Sequence, residues 1–263
     1  MTKDGLRDNS LLAALPAGEF ERLAPMLRMA DVPVRQQVYR PREPIREVYF
    51  PLSAVFSMVA VAGDRVAVEV GTVGFEGMVG LPLFLGASTS PNAAFCQIPG
   101  EAAWMSSADF AGFLAVDGSL HRLLHRYVQS TMIQLAQNVV CNSAHALEQR
   151  MSRWLLMCAD RVRADTFELT QEFLAQMLGV RRATVSETAR RLQADGLIRY
   201  TRGVMTINDR KRLEHAACEC YDILRLEFDQ LSQTRPATAD RARPRRSQDL
   251  RSDDRRDQGW SVD

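Results

Sequence analysis

One stretch constrains the fold more than any other. Residues 169–200 read LTQEFLAQMLGVRRATVSETARRLQADGLIRY. Two short helical patterns meet there at Gly179-Val180. Thr170 is placed to cap the first helix, and Leu174, Ala175 and Leu178 fall on its inner face. Gly179 supplies the left-handed backbone that a tight helix-to-helix corner requires. Ala175, four residues earlier, is small enough to let two helices cross closely, and Val180 plugs the corner. In the second helix Val185, Ala189 and Leu192 fall on the buried side. Arg181, Arg182, Thr184, Ser186, Glu187 and Arg190 are left outside. The pattern is that of a helix-turn-helix whose second helix presents short polar and basic side chains on its first turns.

Arg181 and Arg182 stand where the helix dipole opposes positive charge, at a cost of about 0.3–1 kcal/mol each. A Ser or Asp would cap better. The plainest reading of such arginines is a solvated surface. They gain when an anion or a base edge faces them, because the guanidinium fork pairs bidentately with phosphate or with guanine. The following segment LIRY-TRG-VMTI is two alternating runs joined by a Gly-containing turn, hence a hairpin. A hairpin placed there is a wing, with Arg199 and Arg202 available to phosphates. Arg210, Lys211 and Arg212 add local charge or form a solvated helix face. The expected DNA-binding set is Thr170, Arg181, Arg182, Thr184, Ser186, Glu187, Arg190, Arg199 and Arg202. Arg182 and its neighbours would read bases. Arg181, Thr170, Arg199 and Arg202 would mostly hold phosphates.

The net charge of the 263 residues is only +1, so any basic surface must be local. Five irregularly spaced cysteines do not resemble a disulfide framework and fit a reducing cytoplasm. The charged N-terminus has too short an apolar run for a signal peptide. Residues 77–100 carry no charge, but Pro82, Pro91, Asn92, Gln97 and several small polar residues argue against a membrane helix.

Ahead of the bihelical segment the period changes twice. Residues 10–30 read as one or two short helices, with Ser10 as a cap and Phe20, Leu23 and Leu27 on one face. From Val32, short runs rich in Val, Tyr and Phe, punctuated by Pro, Gly and Asp, suggest an antiparallel roll or barrel. Gly71, Gly74, Gly77 and Gly80 recur at every third position, which fits chain reversals rather than a dinucleotide fingerprint or P-loop. A short helix follows Ser106. A longer one runs from about Ser119 to about Asn142, with Leu124, Val128, Met132, Leu135 and Val139 as an apolar stripe. That stripe suits a dimer seam, or simply packs on the roll. A further amphipathic helix carries Leu147, Met151, Trp154, Leu155 and Cys158. A last helix starts at Asn208 or Asp209. From about Gln233 the chain is rich in Arg and Asp with almost no aliphatic residues, the composition of disorder.

A β-roll, a long helix and a winged helix in that order resemble the Crp/Fnr superfamily of bacterial transcription regulators. The block from Leu169 to Ile198 carries the resemblance most specifically. The roll, VYRPREPIREVYFPLSAVFSMV, is similar to the cyclic-nucleotide-binding-like domain. The resemblance implies a cytoplasmic homodimer on a two-fold-symmetric operator, with RNA polymerase as a further partner it admits. It places base readout on Arg182, Ala183, Ser186 and Glu187. Family members often carry Glu in place of Ala183 and Arg in place of Glu187. Members that bind cyclic AMP carry a Gly-Glu pair and a downstream Arg. Here Leu81 follows Gly80, and no Lys or Arg occurs between Gly71 and Glu101. The roll is therefore expected not to bind cyclic nucleotides by that chemistry, and no cofactor is implied.

The reading is an α+β chain: a β-roll over 10–117, a dimerisation helix over 118–142, a winged helix over 143–232 and a disordered tail over 233–263. Iron–sulfur chemistry lacks clustered N-terminal cysteines, the first being Cys96. His121 and His125, four apart, could share a metal but lack a third ligand, so a solvated helix face is the expectation. Cys218 and Cys220, two apart in a helix, are expected to point in different directions and to pack. No catalytic constellation is visible, so an enzyme is not expected. The other reading is a ligand-binding or protein-interaction module whose winged helix docks protein. The basic start of the second helix discriminates in favour of DNA.

Overall fold

The computed structural model describes residues 3–62, 66–114 and 118–233. The tail expected beyond Gln233 lies outside the described residues.

Two short helices, α1 (Ser10–Ala13) and α2 (Ala17–Leu23), open the chain. The cap of α1 is Asn9, one residue before the expected Ser10. Its Oδ1 accepts from the Leu11 and Leu12 amides, while its Nδ2 donates to the Pro51 and Gly77 carbonyls. The roll follows as β1 (Arg28–Val32), β2 (Gln37–Tyr39), β3 (Glu47–Pro51), β4 (Val55–Ala62), β5 (Val66–Val73), the one-turn α3 (Leu81–Phe84), β6 (Ala93–Ile98) and β7 (Gly100–Ser106). The strands form two antiparallel sheets, ordered β1-β7-β3 and β2-β6-β4-β5. The uncharged stretch 77–100 thus forms strand, turn and short helix, and among the described residues no helix is long and apolar enough to cross a membrane.

Strand β3 is apolar on consecutive residues because both its faces are covered. Tyr49 points into the space between the sheets with Phe56, Val73 and Cys96. Val48 and Phe50 point outward, against α1, α2, α4 (Ser107–Leu114) and the first half of α5 (Ser119–Ala144). Period-two alternation distributes one strand between two cores. The repeated glycines include an expected reversal, Gly74 and Gly77 bracketing a turn closed by the Gly77 amide on the Gly74 carbonyl at 3.1 Å, while Gly71 lies within β5; they are also points of close approach. A Cβ on Gly77 would collide with the Tyr127 ring and hydroxyl of α5, and one on Gly74 would stand 2.6 Å from the Arg161 side chain.

After α5, a joint at His145-Ala146 leads into α6 (Leu147–Val162), then β8 (Thr166–Glu168), α7 (Gln171–Leu178), α8 (Arg182–Ala194), β9 (Ile198–Thr201), β10 (Val204–Ile207), α9 (Arg210–Ala216) and α10 (Cys220–Gln233). Strand β8 joins the hairpin in a three-stranded sheet, β8-β10-β9. The single last helix expected from Asp209 is two. Asp209 does cap α9, its carboxylate accepting from the Arg212 amide, but the chain breaks over 217–219 and restarts as α10. Cys218 and Cys220 therefore do not diverge along one helix.

The winged helix and the roll share one core. Val55, Val59 and Ile98, from the outer face of the second sheet, pack with Met151, Leu155, Leu174 and Leu178. Polar pairs stitch the same boundary. Trp154 Nε1 donates to Glu69 Oε1 at 2.8 Å, and Arg161 Nε donates to Glu76 Oε1 at 2.8 Å, all four residues being buried. Burial pushes the Glu69 carboxyl up, against the opposing pull of bonds from Ser57, Trp154 and Thr72. Burial alone would lower the Arg161 guanidinium, but the Glu76 carboxylate beside it wins and holds it above its ordinary value. Helix α10 then runs back along α5, with Leu231 buried among the roll's outer residues.

Candidate nucleic-acid interface

The bihelical corner forms as its residues dictate. Thr170 caps α7, its hydroxyl accepting from the Phe173 amide at 3.2 Å. Leu174, Ala175 and Leu178 are buried. Gly179 takes φ +65°, and the Val180 amide closes on the Ala175 carbonyl at 3.0 Å. The carbonyl of Leu178 accepts from Arg150 Nη2, so an arginine of α6 finishes the C-terminus of α7. Val185, Ala189 and Leu192 of α8 are buried, and so is Thr188, whose hydroxyl bonds back to the Thr184 carbonyl at 3.0 Å.

The outward face of α8 is as expected. Arg181, Arg182, Thr184, Glu187 and Arg190 are exposed, and Ser186 is half-buried. Arg181 occupies the capping position with no side-chain hydrogen bond to the first turn. The first amides of α8 thus lack a side-chain cap and are flanked by two cations, a combination suited to an anion. Arg182 Nε lies 3.9 Å from Glu172 Oε2, but both side chains are about two-thirds or more exposed (68% and 74%), so this pair holds Arg182 weakly. Ser186 Oγ donates to Gln171 Oε1 at 2.6 Å, tying the two helices, and Glu187 pairs with Arg191 at 3.3 Å.

The wing is a two-residue hairpin. Thr201 pairs with Val204, and the intervening Arg202 and Gly203 take φ +51° and +81°, the signs of a type I′ turn. Its tip is anchored where the Leu169 amide donates to the Gly203 carbonyl at 2.8 Å. Arg199 and Arg202 are exposed. Arg202 and Thr170 also line a cleft whose opposite wall is Arg35 and Pro99 of the roll. Arg210 does not join this surface. It is held by Asp160, Asp165, Glu214 and the Tyr221 hydroxyl inside the domain.

The long helix divides its stripe. Leu124 is fully buried in the core of its own chain, which corrects its place in a dimer seam, and Val128 is half-buried against the same core. Met132, Leu135 and Val139 are exposed, joined by Val140. The rings of His121 and His125 lie 4.6 Å apart and both edge onto Phe84, a packing role for the pair.

Residues 149–216 match the sequence model of the Crp-like helix-turn-helix domain. No curated protein matches the chain in sequence. Solved structures share its fold. FixK2 from Bradyrhizobium japonicum is 15% identical, with 73% of this chain and 98% of that one covered at a TM-score of 0.62. TTHB099, a CRP-family transcriptional regulator from Thermus thermophilus, is 17% identical over 72% and 96% at 0.60. The c-di-GMP-responsive global regulator CLP of Xanthomonas campestris is 21% identical over 74% and 100% at 0.58. Residues 149–216 are a Crp-like helix-turn-helix domain, and the chain around them has the fold of the Crp/Fnr transcriptional regulators.

Proposed function

We propose that the chain is a sequence-specific DNA-binding transcription regulator that acts as a homodimer on a two-fold-symmetric operator. The observation that carries this is the start of α8, where two exposed arginines flank a helix N-terminus without a side-chain cap, on a domain of Crp-like type. Such a surface costs stability unless an anion meets it. Arg182, Thr184, Ser186 and Glu187 face the bases, and Arg181, Thr170, Arg190, Arg199 and Arg202 face the phosphates. Met132, Leu135 and Val139 form the seam on which a second copy docks, placing two α8 helices in successive major grooves about 34 Å apart. By this reading residues 10–117 are a sensor roll, 118–142 the dimerisation helix and 143–232 the DNA-binding unit. Cyclic AMP is not the effector by the family's chemistry, because Leu81 rather than Glu follows Gly80 at the start of α3 and the sequence has no Lys or Arg between Gly71 and Glu101 to meet a cyclic phosphate.

The test is selection from a pool of random duplexes at two salt concentrations with no ligand added. A two-fold-symmetric motif supports the reading and makes an added effector dispensable. Binding that is salt-sensitive but carries no motif would reduce the protein to a non-specific DNA binder. A monomer by light scattering that stays monomeric on DNA would remove the dimer.

A further inference from the structure

Four side chains that the DNA-reading surface does not use converge where the end of α5 meets the break between α9 and α10. Cys141 lies in the last turn of α5, and His145 follows it by four residues as that helix's C-cap, so both project to one side. Cys218 and Cys220 come from the break. The three Sγ atoms and a ring nitrogen of His145 all lie within 4.8 Å of one another. Cys141 Sγ is 3.5 Å from Cys218 Sγ, and Cys220 Sγ is 3.5 Å from His145 Nδ1. A disulfide needs about 2.05 Å, so these sulfurs are not bonded to each other. Thiolates at about 2.3 Å and an imidazole at about 2.0 Å around one tetrahedral ion would stand roughly 3.5–3.8 Å apart. We infer that Cys141, His145, Cys218 and Cys220 form a Cys3His site for a single zinc ion.

The surroundings suit that ion. The three cysteines are buried and form a cluster of their own, with no aliphatic residue in it. Packing alone gives no reason for three small thiols to meet there. The other ring nitrogen of His145, Nε2, faces Glu219 Oε1 at 3.1 Å. A carboxylate behind the ligating histidine fixes its tautomer and raises its basicity, as metal-bound histidines commonly require. Gln137 Nε2 donates to Cys220 Sγ at 3.0 Å, as a donor to a thiolate would. Three thiolates and a neutral imidazole leave a zinc site one negative charge. Arg150 and Arg153, each with a buried Nε that has no hydrogen-bond partner, are close enough to act electrostatically on Cys141. The compactness of the donor set also argues for one ion. In a cluster of several irons, cysteines on different irons stand farther apart than 4.8 Å.

The full chain, purified under reducing conditions and dialysed against metal-free buffer, should retain one zinc per polypeptide by mass spectrometry. After zinc removal, cobalt(II) should give the visible bands of a tetrahedral ion with strong thiolate-to-cobalt charge transfer. Cys218→Ser should abolish stoichiometric retention. Glu219→Gln, an exposed change that leaves all four ligands, should weaken zinc binding about 10–100-fold. His121→Ala, outside the site, should retain full zinc. A folded, reduced chain that holds no zinc and stays featureless with cobalt(II) overturns the assignment. Should Cys218→Ser fail to fold, wild-type cobalt spectra and Glu219→Gln decide. An unchanged affinity in Glu219→Gln would remove the carboxylate's part.

Discussion

Helices α6 and α8 belong to one domain, are both amphipathic, and both carry arginines, yet they spend them in opposite ways. In α6 the arginines turn inward. Arg161 meets Glu76 of the roll, Arg153 donates to Asn138 of α5 at 2.9 Å, and Arg150 finishes α7. In α8, Arg182 and Arg190 are exposed with only weak or local contacts. A buried guanidinium must be paired, because an uncompensated charge in a dry interior is very costly. An exposed one needs no partner in its own chain and remains available to another molecule. The difference teaches that arginine count says little about nucleic-acid binding, and that whether a guanidinium is bound within its own chain or left exposed says much.

Five variants test that contrast, beginning with the largest effect. Arg161→Ala leaves Glu76 buried without its cation and should cost about 3–5 kcal/mol in urea unfolding. The double change Arg161→Met with Glu76→Gln should recover most of that loss, and a loss as large as the single variant's would mean that shape rather than charge matters here. Trp154→Phe keeps an aromatic ring, though a smaller one, and removes the indole N–H donor to Glu69, for an expected loss of about 1–3 kcal/mol by the same assay. Arg182→Ala should leave stability within about 0.5 kcal/mol. It should cost about 1–3 kcal/mol on the selected operator and relax discrimination at one base pair, measured by competition against single-site variants. Arg202→Ala should act most gently, weakening specific and random duplexes alike and reducing the salt slope by about 1. Should Arg182 and Arg202 affect specific and random DNA identically, the division between base-reading and phosphate-holding side chains fails.

The α8 half of this contrast was legible in the sequence, and the α6 half was not. Thr170, Gly179 and the Val185–Ala189–Leu192 spacing act within a few residues of one another, so local rules suffice to place them. The exposed face of α8 follows by subtraction. Trp154 and Arg161 read as ordinary members of an amphipathic helix, because their partners Glu69 and Glu76 lie 85 residues away. The periodicity of α5 identified an apolar stripe, but not that Leu124 is covered by its own roll while Met132 is left bare. Strand β8 is three residues long, too short for any alternation to register. The break between α9 and α10 carries neither Gly nor Pro, so nothing marks it in the sequence, and the convergence of four distant donors on it stayed hidden. The cap at Asn9 instead of Ser10 is a one-residue difference between two good capping residues, decided by Asn9's second bond set to Pro51 and Gly77.

Because Val55, Val59 and Ile98 of the roll lie in the same core as Met151, Leu155 and Leu178, the winged helix is not a bead on a tether. Swinging it away would uncover apolar surface on both sides at once, so intermediate tilts would be disfavoured and a released arrangement, if populated, would stand as a discrete alternative to the docked one. Whatever occupant prefers one arrangement draws population from the other in proportion to its preference. Linkage makes the traffic two-way. A duplex that favours the released form must loosen the grip of any small molecule that favours the docked form, by the same factor with which that molecule loosens the grip on the duplex.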